Sequence, residues 1–104
     1  MIRHIVWWTL KEKADGKSAE ENAWHILQLS SALMEIPEML SLEVSQKVEK
    51  TTTVQAGLVL TTTHKNMEEL EKYRNNPIHL QFAALLNELV SSRNVIDFEF
   101  DAEK

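Results

Sequence analysis

The stretch Ile2 to Leu10, IRHIVWWTL, limits the possible folds more than any other part of the chain. Successive side chains of a strand point to opposite faces. Ile2, His4, Val6, Trp8 and Leu10 therefore share one face, and Arg3, Ile5, Trp7 and Thr9 share the other. Large β-branched and aromatic groups favour the pleated backbone, and here they stand on both faces. A strand with one face in water shows a cleaner polar alternation. The stretch predicts a central strand covered on both sides.

The rest of the chain supplies the cover. Ala14 to Lys17 (ADGK) reads as a turn, and Ser18 with Glu21 three residues on makes a capping box. Behind it Ala19, Ala23, Ile26, Leu27, Leu33 and Met34 recur at helical spacing, which predicts a long helix to about Glu35, before Pro37. Leu40, Leu42, Val44 and Val48 then alternate with Ser41, Glu43, Ser45 and Lys47, the pattern of a half-buried strand. A threonine-rich run opens another strand, in which Val54, Ala56, Leu58 and Leu60 share a face. Asn66 and Glu69 repeat the capping pattern, with Met67, Leu70 and Tyr73 at spacings of three. After Pro77, the series Ile78, Phe82, Leu85, Leu86, Leu89 and Val90 marks a third helix. Val95 to Phe100 closes the chain as a strand, Ile96, Phe98 and Phe100 facing away from Asp97 and Glu99.

The order β-α-β-β-α-α-β over residues 1–104 predicts one domain of the α+β class. The expected plan is ferredoxin-like: an antiparallel four-stranded sheet, strand order 4-1-3-2, with the helices on one face. That plan makes the first strand central but leaves the second sheet face bare. Ile5 and Trp7 would lie on it as an exposed apolar patch. The economical solution is a homodimer that buries sheet against sheet, about 10 Å apart.

Charge and composition narrow the function. A net charge of −5 without a Lys/Arg cluster excludes nucleic acid and anionic membranes as expected partners. The absence of cysteine removes disulfide and thiolate chemistry and suits a reducing cytoplasm. The apolar opening is too short to span a bilayer and lacks a small-residue cleavage pattern, so it reads as a strand rather than a signal peptide.

Of the four histidines, His25 falls mid-helix beside the apolar stripe and His64 falls in a polar turn, and both read as structural. No pair has metal-ligand spacing, and no glycine-rich phosphate loop or nucleophile elbow is present, so no metal and no cofactor is expected. The three tryptophans, Trp7, Trp8 and Trp24, read as core or interface packing. His4 differs, because an imidazole in the middle of an apolar strand face needs a partner. In KYRNNPIHLQF, beginning at Lys72, Tyr73 ends one helix on its apolar side and His79 enters the first turn of the next. A helix N-terminus disfavours imidazolium, so His79 is expected to stay neutral near pH 7 and able to act as acid or base.

The opening MIRHIVWWTLKEK, the IPEMLSLEV from Ile36, the LEKYRNNPIHLQF from Leu70 and the closing VIDFEF together resemble the stress-responsive dimeric α/β-barrel (Dabb) family. The most specific part is Tyr73, Pro77 and His79 in that spacing, and the departure is Asn76, where the family commonly has histidine. The resemblance implies a ferredoxin-like monomer that pairs into a barrel, with a cavity between sheet and helices. In a family member that cyclises polyketide chains by aldol condensation, the residues matching His4, Tyr73 and His79 line that cavity. The resemblance thus implies proton transfer on a small apolar carbonyl compound, with those three as candidate catalytic residues. A non-catalytic stress-related binding or structural dimer is the alternative. A monooxygenase of a related dimeric barrel family is a further one.

Overall fold

The computed structural model describes residues 1–46, 50–54 and 57–101. Four strands form one antiparallel sheet: β1 (Ile2–Leu10), β4 (Ser41–Gln46), β5 (Leu58–His64) and β6 (Val90–Glu99). Their order is β4-β5-β1-β6, so β1 is central. Counted along the chain, this is the 4-1-3-2 order read from the other edge. A two-stranded hairpin, β2 (Lys13–Ala14) and β3 (Lys17–Ser18), leads into α1 (Ala19–Leu29). Its two-residue loop has Asp15 at φ 53° and Gly16 at φ 73°, the left-handed pair that lets a tight hairpin follow the strand twist. The remaining helices are α2 (Met67–Asn75) and α3 (Pro77–Leu89). The fold is ferredoxin-like α+β.

Register sorts the two sheet faces. His4 pairs with Thr62 on β5 and Asp97 on β6, and Val6 pairs with Leu60 and Val95. The core gathers on that face: Ile2, Val6, Trp8, Leu58 and Leu60 are buried with Ala23 and Ile26 of α1, Leu70 and Tyr73 of α2, and Phe82, Leu86 and Leu89 of α3. The opposite face carries Arg3, Ile5 and Trp7 flanked by Thr63, Thr61 and Val59 on one side and Phe98, Ile96 and Asn94 on the other. Arg3 also lies over the Phe100 ring, 4.0 Å from its centre.

The elements depart from the sequence pattern in ways that have local causes. The first helix ends at Leu29 and continues to Glu35 as a 3-10 segment instead of an α-helix. Ser30 and Ser31 donate their hydroxyls to the Leu27 and Gln28 carbonyls, at 2.7 and 2.9 Å, which draws acceptors away from the regular ladder. Leu33 stays fully buried, whereas Met34 turns out to solvent. Strand β6 starts five residues earlier than its apolar alternation predicts, because Val90 to Asn94 pair with β1 down to Leu10 despite their polar character. Val90 accordingly begins a strand and is no part of the third helix. The threonine-rich run enters the sheet only at Leu58; Val54 lies outside the strand and is exposed. The expected strand positions of Lys47, Val48 and Ala56 lie outside the described residues.

The Asn76-Pro77 step explains how two helices meet so abruptly. Asn76 ends α2 and caps α3, its Oδ1 accepting the Ile78 N–H at 2.9 Å. Pro77 takes the first helical position, where its missing N–H costs nothing. Asn76→Ala is expected to lower stability by about 1 kcal/mol, the usual loss of a side-chain cap, as read by urea denaturation. An unchanged midpoint would show that the cap is redundant.

Candidate functional site

Three elements bring their side chains to one place. β1 presents His4 from the sheet, the last turn of α2 presents Tyr73, and the first turn of α3 presents His79. The Tyr73 and His79 ring centres are 4.7 Å apart and inclined at 53°, and the His4 and Tyr73 rings meet edge to face at 6.2 Å. All three line a cavity of about 380 Å³ between the sheet and α3. Val6, Trp8, Leu60, Phe82, Ala83 and Leu86 make most of its remaining wall. That volume lies within the usual range for a small-molecule site.

Each polar group has a definable state. His4, 2% exposed, is held by a hydrogen bond from Nδ1 to the Asp97 carboxylate on the neighbouring strand. Burial lowers its pKa, and the bond and charge of Asp97 work against that fall. His79 donates Nδ1–H to the Arg74 carbonyl at 3.0 Å. A carbonyl can only accept, so in the neutral ring Nε2 carries the free lone pair. Burial is the chief cause that lowers the His79 pKa, with the charges of His4, Arg93 and Arg74 adding to it. The helix N-terminus works in the same direction, but loss of water around the ring comes first.

Tyr73 is 1% exposed, and burial raises its phenol far above the ordinary value. It remains a neutral hydroxyl, able to donate. The Thr62 hydroxyl nearby partly counters that rise.

That hydroxyl leads to a residue which the sequence pattern misplaces. His64 does not sit in a polar turn: it is the last residue of β5 and is fully buried. Its ring lies 4.7 Å from that of Tyr73, on a centre-to-centre measure, and 6.4 Å from that of His4. Nδ1 donates to the Glu38 carbonyl at 2.9 Å, so the neutral ring accepts at Nε2 from the Thr62 hydroxyl, 2.8 Å away. Thr62, His64 and the Glu38 carbonyl thus form a buried hydrogen-bonded chain beside the Tyr73 ring. Burial lowers the His64 pKa as well. The cue in the sequence was parity: from Leu58, alternate residues Leu60, Thr62 and His64 fall on the core face.

Asp97 was visible only as the polar member of an alternating strand, and its pairing with His4 depends on a register that one strand alone does not reveal. His25 is exposed on α1 and takes no part in the cavity. Trp24, expected to pack, is 63% exposed on the same helix, whereas Trp8 is buried against Phe82 with ring centres at 6.4 Å. Among the described residues no group of three His, Cys, Asp or Glu side chains gathers as a metal site requires.

Comparison with known proteins adds a family and a fold. The family model of the stress responsive A/B barrel domain matches residues 2–100. No curated protein matches the chain significantly. Among solved structures, a Dabb family protein with a ferredoxin-like fold from Mesorhizobium loti has a TM-score of 0.76 at 19% identity, covering 97% of each chain. A dimeric protein of unknown function with a ferredoxin-like fold from Bacteroides fragilis has a TM-score of 0.74 at 22% identity, covering 95% of each chain. Hydroxynitrile lyase from Passiflora edulis has a TM-score of 0.80 at 16% identity, over 97% of this chain and 94% of its own. At these identities the likeness carries the fold alone.

Proposed function

This chain belongs to the stress responsive A/B barrel domain family, and on that premise we propose that it is a homodimer whose cavity takes a small, largely apolar carbonyl compound and moves a proton on it. The observation that carries the reading is the Tyr73–His79 pair, ring centres 4.7 Å apart, in the wall of a mostly apolar cavity. His79 offers an unprotonated Nε2 at neutral pH, and Tyr73 offers a hydroxyl proton. A general base beside an oxyanion donor is what removal of a proton next to a carbonyl requires. His79 Nε2 takes the carbon-bound proton, and the Tyr73 O–H donates to the ligand oxygen as negative charge develops there. His4, fixed by Asp97, stands in the same wall.

The test is hydrogen–deuterium exchange next to the carbonyl of 2-octanone in D2O, followed by proton NMR. Exchange well above the buffer rate supports catalysis. The same ketone bound without enhanced exchange supports the second reading, a non-catalytic binding dimer. That reading draws on the mostly apolar lining of the cavity, which can hold a ketone chain without acting on it.

The dimer rests on the uncovered sheet face. Ile96 and Phe98 are 49% and 40% exposed, and Ile5 and Trp7 beside them are only half-buried within one chain. The dimeric description of the Bacteroides fragilis neighbour points the same way. Trp7→Asp is expected to weaken association about 30-fold or more, since an interface aromatic contributes roughly 1 kcal/mol or more in each copy and acts twice in a twofold interface. Sedimentation of the unchanged protein as a monomer at micromolar concentration would remove the basis for this pairing. With no cysteine in the sequence, a reducing cytoplasm is the location we favour. Among the described residues no helix is long and apolar enough to cross a membrane.

A further inference from the structure

Arg93 also lines the cavity, from β6. On β6 it is four residues from Asp97, a separation of about 13 Å along an extended strand. Register pairs it with Trp8, on the same face as the core and the histidines. It lines the cavity together with Asn87 of α3 and Val90. None of the ion pairs or hydrogen bonds among the described residues involves its guanidinium, although the chain has sixteen acidic residues against eleven basic ones. Asp97, the carboxylate nearest in register on this face, is engaged by His4.

An arginine at the rim of an apolar cavity has an ordinary reading, a solvated surface charge. Two observations favour another. Its charge is close enough to both His4 and His79 to disfavour their protonation, so it acts on the space that these imidazoles line. Its neighbour in the wall is Asn87, an amide whose N–H can add a donor to the same group.

We propose that the ligand is a monocarboxylate, a keto acid with an apolar chain, whose carboxylate binds Arg93 and Asn87 while its carbonyl reaches Tyr73 and His79. This deepens the carbonyl-ligand reading and rests on it. The guanidinium fork matches a carboxylate with two parallel N–H bonds. A phosphate dianion would need a second cation, and Arg93 is the one Lys or Arg among the described residues that line the cavity. The largely apolar wall fits a hydrocarbon chain.

The probes are 7-oxooctanoate, its methyl ester and octyl phosphate, titrated calorimetrically into the unmodified protein, Arg93→Gln and Arg93→Lys. The acid is expected to bind about 10- to 100-fold more tightly than the ester, the reach of a charge-assisted hydrogen bond. Arg93→Gln should remove that preference and leave ester affinity unchanged. Arg93→Lys should keep part of it. Arg93 is exposed, so its replacement is expected to leave thermal melting unaltered, which the same samples report. Equal affinity of acid and ester for the unmodified protein overturns the carboxylate proposal and leaves the carbonyl pocket standing. Tighter binding of octyl phosphate than of the acid overturns the head-group assignment. Loss of acid and ester binding together in Arg93→Gln overturns it too, by reducing Arg93 to a structural role. If none of the three probes binds, the pocket reading falls with it.

Discussion

His79→Ala is expected to slow proton exchange next to a bound ketone by about one hundred- to ten thousand-fold, the usual contribution of a positioned general base. The expectation comes from the tautomer. The Arg74 carbonyl holds the Nδ1 proton, so the one free lone pair of the ring belongs to the face that can meet a ligand. Alanine removes that lone pair and keeps a good helix former in the first turn of α3. Pro77 at the first position and the Asn76 cap remain, so the helix should still start where it does. Tyr73→Phe supplies the companion measurement. It removes the oxyanion donor but keeps the ring contacts with His64 and His79. If Tyr73 stabilises developing charge, Phe should lower the exchange rate with little change in ketone affinity. If His79→Ala changes affinity alone and exchange persists at the original rate, the base is elsewhere and the binding-dimer reading stands in its place.

The fold was legible because its main signal is redundant. Two-sided apolarity places β1 in the centre, and its pairing with β5 and β6 is the arrangement that buries both edges of such a strand. Ser18 with Glu21, and Asn66, start helices where the capping pattern places them, since these side chains satisfy orphan N–H groups regardless of what packs above. The parts that were not legible depend on distant partners. Arg93 and Asn94 have weak strand character and are extended because β1 runs alongside. Trp24 looks like core from composition, yet it stands on the solvent side of α1, because helical phase and not residue type decides the face.

The site was legible to a similar depth. Tyr73 and His79 are brought together by six residues of local chain, so spacing and the Asn-Pro break were enough to put them near each other. His64 and Asp97 enter through strand register, a long-range property. The cost of misplacing His64 is large, because a buried imidazole couples folding to pH while an exposed one in a turn does not.

That coupling gives the second large effect. His4 and His64 are both buried, and both titrate below the ordinary 6.5 when folded, chiefly because burial disfavours the charged ring. As pH falls, the unfolded chain takes up these protons first, near 6.5, while the folded rings stay neutral until lower pH. The contribution to stability is therefore complete above about 6.5 and is lost progressively below it, until the folded values are reached. Within that window each histidine lowers unfolding free energy by at most about 1.4 kcal/mol per pH unit, so the two together set a ceiling of roughly 2.7. His79, whose pKa burial also lowers, adds in the same direction. A change of that size would shift the folding equilibrium about a hundredfold, a large share of the marginal stability of a small domain. Carboxylates titrate mostly lower, so the slope between pH 6.5 and 5.5 is dominated by the histidines. Denaturation curves at several pH values in this range measure it, and His64→Phe separates its source. That change removes the bonds to Thr62 and the Glu38 carbonyl and lowers stability at every pH. The slope should nevertheless fall, by up to about 1.4 kcal/mol per pH unit, because one titrating ring is gone. A slope unaltered by the substitution would mean that His64 takes up no proton on unfolding in this range, so that it is already protonated in the folded chain, with Nε2 donating to Thr62 instead of accepting from it.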